Sequence, residues 1–148
     1  MFAEDLELRD FKGEDRDDLY KWRNHPVVRE NSFNSNPLSW DEHVQWFERK
    51  SQSPDTTIYI AYYEEEKVGM IRFENESKTV GVSVMLNPNF IGRGLGAKLI
   101  KLGVKKFINE RKVDKNIIAE IKENNIASQK AFQKAGFKVN DRICVFKP

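Results

Sequence analysis

Only one of the 148 residues is a cysteine, Cys144, so no internal disulfide framework is available; its place in an apolar C-terminal run marks a buried thiol rather than a nucleophile. Excess charge is missing as well. The 25 lysines and arginines stand against 23 acids, a net charge of +2, and they are interspersed, which gives nucleic-acid binding no electrostatic support. No apolar run approaches the roughly 18 residues of a membrane span, and Met1-Phe2-Ala3-Glu4-Asp5 lacks a basic-then-apolar leader pattern. A cytoplasmic protein with no membrane partner is therefore expected. Internal repeats, low-complexity tracts and linkers are lacking too, and no metal-ligating cluster stands out. What remains, 39% hydrophobic and 32% charged, has the composition of one globular domain over residues 1–148.

Periodicity divides the chain into elements. Residues 4–11 alternate like an edge strand, and Gly13-Glu14-Asp15 opens an amphipathic helix with Leu19, Trp22 and Arg23 on one side, stopped by Pro26. Ser39, with Glu42 three residues later, reads as a capping box for a helix presenting Val44, Trp46 and Phe47. Segments 56–63, 67–74 and 79–86 are strand-like and separated by polar turns, the pattern of an antiparallel meander. A helix over 94–111, a strand at 116–122, a helix at 125–135 and a final strand region at 137–147 follow.

The richest stretch runs Val84-Met85-Leu86-Asn87-Pro88-Asn89-Phe90-Ile91-Gly92-Arg93-Gly94-Leu95-Gly96-Ala97, an apolar strand passing through a loop into glycines that open a helix. Amides at a helix start have no partner inside the helix and lie at the positive end of its dipole, so they suit an anionic phosphate. Glycines let the backbone come close. Residues 92–97 formally satisfy the dinucleotide fingerprint, but three antiparallel strands precede the loop and too little chain follows for a second βαβ half. A Walker-type loop needs lysine and a hydroxyl after its last glycine, where Ala97 stands. Glycines that merely ease a tight turn are the remaining plain reading.

Taken with the later run from Asn124 to Phe137, NNIASQKAFQKAGF, the loop and the element order resemble the GCN5-related N-acetyltransferase (GNAT) family over nearly the whole chain. The resemblance implies an α/β GNAT fold: a mixed central sheet, an antiparallel meander followed by parallel splayed strands, flanked by helices. It implies acetyl-CoA as cosubstrate, with Gly92, Arg93, Gly94, Leu95, Gly96 and Ala97 around its pyrophosphate. Ile91 replaces the polar first position of the family pattern. Val84, Met85 and Leu86 would offer backbone groups to the pantetheine arm, joined by Asn125 and Ser128. Arg93, Lys98, Lys130 and Lys134 could reach phosphates, although lysines spaced along a helix also form its ordinary solvated face.

Acetyl transfer to an amine needs a base, because an amine of pKa about 10.4 is protonated near neutrality. Glu120 is the candidate: it corresponds to the glutamate base of family N-terminal acetyltransferases, and the isoleucines around it suggest an apolar setting. The family tyrosine that protonates the thiolate is matched here by Phe132, leaving water, Ser128, Tyr59 or His43 for that work.

Two runs bear on the acceptor, WRNHPVVR at Trp22 to Arg29 and SWDEHVQWF at Ser39 to Phe47, and they look like the branch that acetylates amino sugars carried on UDP, of the pseudaminic acid type. Trp22, Arg23, Asn24, His25, Phe33, His43 and Trp46 are the acceptor-pocket candidates, since aromatic faces beside polar groups suit a flat polar ligand. Trp22, Trp46 and Phe47 also have the spacing of core anchors. Related ribosomal-protein and polyamine acetyltransferases share several of these features, and a non-catalytic acyl-CoA-binding module is a further alternative. Exposed strand edges permit a homodimer.

Overall fold

A computed structural model describes residues 5–140 and 142–148. Met1 to Glu4 and Asp141, which carry most of the N-terminal segment and one position each of the first and last expected strands, lie outside the described residues. The elements are β1 (Leu6–Asp10), α1 (Arg16–Asn24), α2 (Pro26–Glu30), α3 (Trp40–Gln52), β2 (Thr56–Tyr63), β3 (Glu66–Asn75), β4 (Thr79–Leu86), α4 (Leu95–Arg111), β5 (Asn116–Glu120), α5 (Ile126–Lys134), β6 (Lys138–Asn140) and β7 (Ile143–Phe146). One seven-stranded sheet has the order β1-β2-β3-β4-β5-β7-β6, and β4–β5 is its parallel pair. This is the expected mixed α/β GNAT architecture.

Several boundaries differ from the sequence reading, among them β5, which stops at Glu120 rather than 122, and α1, which starts at Arg16 after a short 3-10 turn over Gly13–Asp15. Pro26 ends α1 but also starts α2, because its fixed φ and missing N–H suit a first helical turn. The last strand region is a hairpin, with β7 inserted between β5 and β6. Ser39 does cap α3, its Oγ accepting from the Glu42 amide at 3.1 Å, although the Glu42 carboxylate accepts from that hydroxyl rather than from the Ser39 amide.

The two faces of the sheet are covered differently. On one, α4 and α5 bury the larger core, where Phe73 of β3 stacks on Phe107 of α4 with centroids 4.3 Å apart. Such a stack adds about 1 kcal/mol beyond the area it buries. On the other, α1 and α3 close a smaller core of Leu19, Trp22, Phe47, Ile58, Ile60, Tyr62 and Met70 over β2 and β3. Beyond those strands this second face lies open, with Ser83 of β4 and Glu120 of β5 exposed. Cys144 is fully buried in the larger core, and burial pushes its thiol pKa up. Among the described residues no helix is long and apolar enough to cross a membrane.

Candidate functional site

The parallel ladder between β4 and β5 is short. It runs through Thr79–Asn116, Val80–Ile117 and Gly81–Ile118 and then stops, although β4 continues to Leu86 and β5 to Glu120. Over residues 82–86, β4 keeps β3 on one side and has no strand on the other. Main-chain groups of Val84, Met85 and Leu86 therefore line a widening gap, as the parallel splayed strands in the sequence reading require.

The loop at the mouth of this gap is pinned at its start. The Asn87 amide donates to the Val68 carbonyl and its side-chain Nδ2 to the Lys67 carbonyl, both at 2.9 Å, and the Phe90 ring is buried. Residues 91–94 are exposed, with Arg93 lying 5.1 Å from the Phe90 ring. Gly92 and Gly94 have φ of 84° and 73°, in the left-handed region, and a Cβ on either would meet nothing within 4 Å; backbone conformation rather than crowding calls for glycine. Gly96 differs, its virtual Cβ lying 3.5 Å from Ala131 where α4 packs on α5. Helices α3 and α5 are capped by Ser39 and Asn125, whereas α4 begins at Gly94 with no capping side chain. Its first amides stay available to an anion such as the acetyl-CoA pyrophosphate. Asn125 accepts from the Ser128 amide at 3.2 Å, placing both on the first turn of α5.

Glu120 ends β5 on the open face. It is exposed, and no hydrogen bond or ion pair engages it among the described residues, so the apolar setting expected from the neighbouring isoleucines is not realised. The reason is register: Ile117 and Ala119 point into the larger core, and Glu120 points away from it. Two of the donors considered for the thiolate are buried and already engaged. Tyr59 is fully buried and donates to Glu110 Oε1 at 2.6 Å; burial, reinforced by that bond, holds its pKa well above the ordinary tyrosine range. His43 is buried in the other layer. Phe132 packs edge-on against Phe137, centroids 5.0 Å apart.

The acceptor candidates separate into groups. Trp22 is buried in the smaller core. His43 is also buried, its Nε2 2.7 Å from the Arg16 carbonyl and its ring among Tyr20, Trp40, Trp46 and Phe47. Asn24, Arg23 and His25 hold chain in place. Asn24 binds both the amide and the carbonyl of Leu38 at 2.7 and 2.8 Å, Arg23 Nη2 donates to the Asn34 carbonyl, and His25 Nδ1 accepts from Val27. Burial, with Arg29 nearby, lowers the Arg23 pKa. Only Phe33, exposed, and Trp46, half-buried, remain as open aromatic surfaces. Lys122, just beyond β5, donates to the Glu30 carbonyl at 2.9 Å and ties α2 to the lip of the gap.

Sequence reasoning passed over Arg72 and Ser83. Arg72 Nη2 lies 3.3 Å from Ser83 Oγ, and its guanidinium sits 5.1 Å from the Trp46 ring. A charged residue inside the apolar strand Val68 to Phe73 was the available signal.

The sheet order, the gap and the uncapped glycine helix start are the features of the acetyltransferase class whose fold the sequence resembles. A family model for the acetyltransferase (GNAT) domain matches residues 5–138, and the chain belongs to that family. An uncharacterised protein of Methanocaldococcus jannaschii is 27% identical over 137 residues, 88% of this chain; the chain spans only 28% of that relative's length. Aminoglycoside acetyltransferase AAC(6')-Ib, solved with coenzyme A and kanamycin, is similar with a TM-score of 0.81 at 20% identity, over 96% of this chain and 94% of its own. The Campylobacter jejuni N-acetyltransferase PseH gives 0.71 at 18% identity, over 97% and 98%. At such identities the likeness is one of fold.

Proposed function

We propose that this domain is an acetyl-CoA-dependent N-acetyltransferase whose acceptor is the primary amine of a nucleotide-linked amino sugar. The observation that carries the transferase reading is the β4–β5 gap, with an uncapped helix start at its mouth and an unpaired Glu120 on its lip. Acetyl-CoA supplies the acetyl group as a thioester. The chain supplies the rest: amides of residues 94–97 for the pyrophosphate, the free edge of residues 82–86 with Asn125 and Ser128 for the pantetheine, and Glu120 for the proton. The amine nitrogen bonds to the carbonyl carbon as the C–S bond breaks, the amine proton passes to Glu120, and the thiolate leaves, with Ser128 or water as its proton source.

The sugar assignment draws on the resemblance of the Trp22 to Arg29 and Ser39 to Phe47 runs, and on Trp46 and Phe33 as surfaces for a flat ligand. A second reading, a polyamine acceptor, is favoured by one feature: Asp18, Glu64, Glu65 and Glu66 line a cleft beside Asn89, Phe90 and Arg93. Thiol release from acetyl-CoA with a panel of UDP-amino sugars, N-terminal peptides and polyamines separates these. Turnover confined to peptides or polyamines removes the sugar. Glu120→Gln is expected to lower kcat by about 100-fold or more with acetyl-CoA binding retained; unchanged activity across pH strips Glu120 of its role, and binding without any turnover favours a non-catalytic module. A homodimer would pair through the free edges at β1 or β6, and light scattering in solution tests it.

A further inference from the structure

The cross-strand registers place Arg72 in line with Glu120. Arg72 of β3 pairs with Ser83 of β4, and Gly81 pairs with Ile118, so two residues further along Ser83 stands level with Glu120 across the gap. Paired residues share a face, so all three side chains belong to the α1–α3 side of the sheet, Arg72 at the edge of the covered part beside Trp46, and Ser83 and Glu120 on the open part. Arg72 and Glu120 are two interstrand spacings apart, at least about 10 Å at their Cα atoms.

Arg72 has donors to spare. Its Nε is 3.1 Å from Glu74 Oε1, but that carboxylate is shared with Lys50 Nζ at 2.9 Å and Thr56 Oγ1 at 2.7 Å. Two cations thus lean on one acid, leaving a surplus positive charge. The Arg72 Nε makes no aligned hydrogen bond, and Ser83 Oγ is the guanidinium's one hydrogen-bond acceptor among the described residues. The side chain is 23% exposed, with the Trp46 ring 5.1 Å from its guanidinium. Burial lowers its pKa, with Glu74 opposing, as expected where negative charge is in short supply. A guanidinium with unused N–H groups is suited to a carboxylate or phosphate.

We propose that Arg72, assisted by Ser83, anchors an anionic group of the acceptor, phosphate or carboxylate, while the amine faces Glu120. This rests on the transferase reading above and sharpens its acceptor: amine and anion must lie about one sugar ring apart. It makes Arg72 a specificity-determining residue and disfavours polycationic acceptors in this row.

The test compares wild type with Arg72→Gln, Arg72→Lys and Ser83→Ala at saturating acetyl-CoA, on a UDP-linked amino sugar, the same amino sugar without nucleotide, and an amine bearing a carboxylate. Arg72→Gln is expected to raise KM for the anionic acceptors about 10- to 100-fold more than for the uncharged one, with KM for acetyl-CoA unchanged. Arg72→Lys should recover part of the loss, and Ser83→Ala should shift KM the same way by less. If Arg72→Gln does not fold, the other two variants carry the comparison. Equal losses on charged and uncharged acceptors mean a purely structural Arg72 and overturn the proposal, as does turnover of cationic or uncharged amines alone. If the UDP-linked sugar is a substrate and the variants leave its KM unchanged, the anchor falls and the sugar reading stands. If only the carboxylate-bearing amine is used and Arg72→Gln weakens it, the sugar reading falls and the anchor stands.

Discussion

His43 packs among four aromatic rings with its Nε2 against the Arg16 carbonyl, and burial lowers its pKa despite that bond. The folded protein therefore holds the neutral ring at pH values where the unfolded chain, with a histidine pKa of about 6.5, takes up a proton. Its contribution is complete above that pH and is lost as pH falls toward the depressed folded value. Urea unfolding between pH 5 and 7 should show stability rising with pH, and His43→Phe should flatten that slope; an unaltered slope in the variant would place the titration elsewhere. Residue type alone made His43 look like a ligand contact, since local sequence does not reveal which helix face is covered.

At the level of elements, the start of α5 joins a structural and a functional demand in one side chain. Asn125 caps the helix through its Oδ1, and its Nδ2 has no partner among the described residues, leaving it to donate to a bound ligand. Aspartate caps as well but cannot donate, so Asn125→Asp should keep the melting temperature while raising KM for acetyl-CoA. Asn125→Ala should lose about 1 kcal/mol of stability in addition. Equal KM values for Asn125→Asp and wild type would reduce Asn125 to a cap. The start of α4 is the opposite case: Gly94 has no side chain to cap with and sits in the left-handed region, so the first amides of the helix are left without a side-chain partner.

The whole molecule divides its tasks between the two faces of the sheet. The α4–α5 side holds the larger core, while the α1–α3 layer covers only β2 and β3 and leaves a groove whose far lip is reached by α2 through Lys122. That exposed hydrogen bond contributes little to stability, so Lys122→Met should change unfolding free energy by no more than about 0.5 kcal/mol. It should raise KM for the acceptor without altering KM for acetyl-CoA, because it joins the acceptor side of the groove to β5; parallel changes in both constants would argue against two separate walls.

The sequence by itself determined most of the elements and the glycine loop, though not α2 or the final hairpin. The meander at 56–86, the helix over 94–111 and the Ser39 cap follow from alternation, 3.6-residue periodicity and capping chemistry, all of which act over a few residues. Only the tertiary structure decided the site around them. The gap exists because the β4–β5 ladder stops after three pairs, and the line from Arg72 through Ser83 to Glu120 depends on the parallel register that brings Gly81 beside Ile118, far along the chain. Likewise, Trp22 and His43 are buried and Asn24 is spent on Leu38 because α1, α3 and the intervening chain pack together. Such pairings are set by long-range packing, which no local pattern encodes.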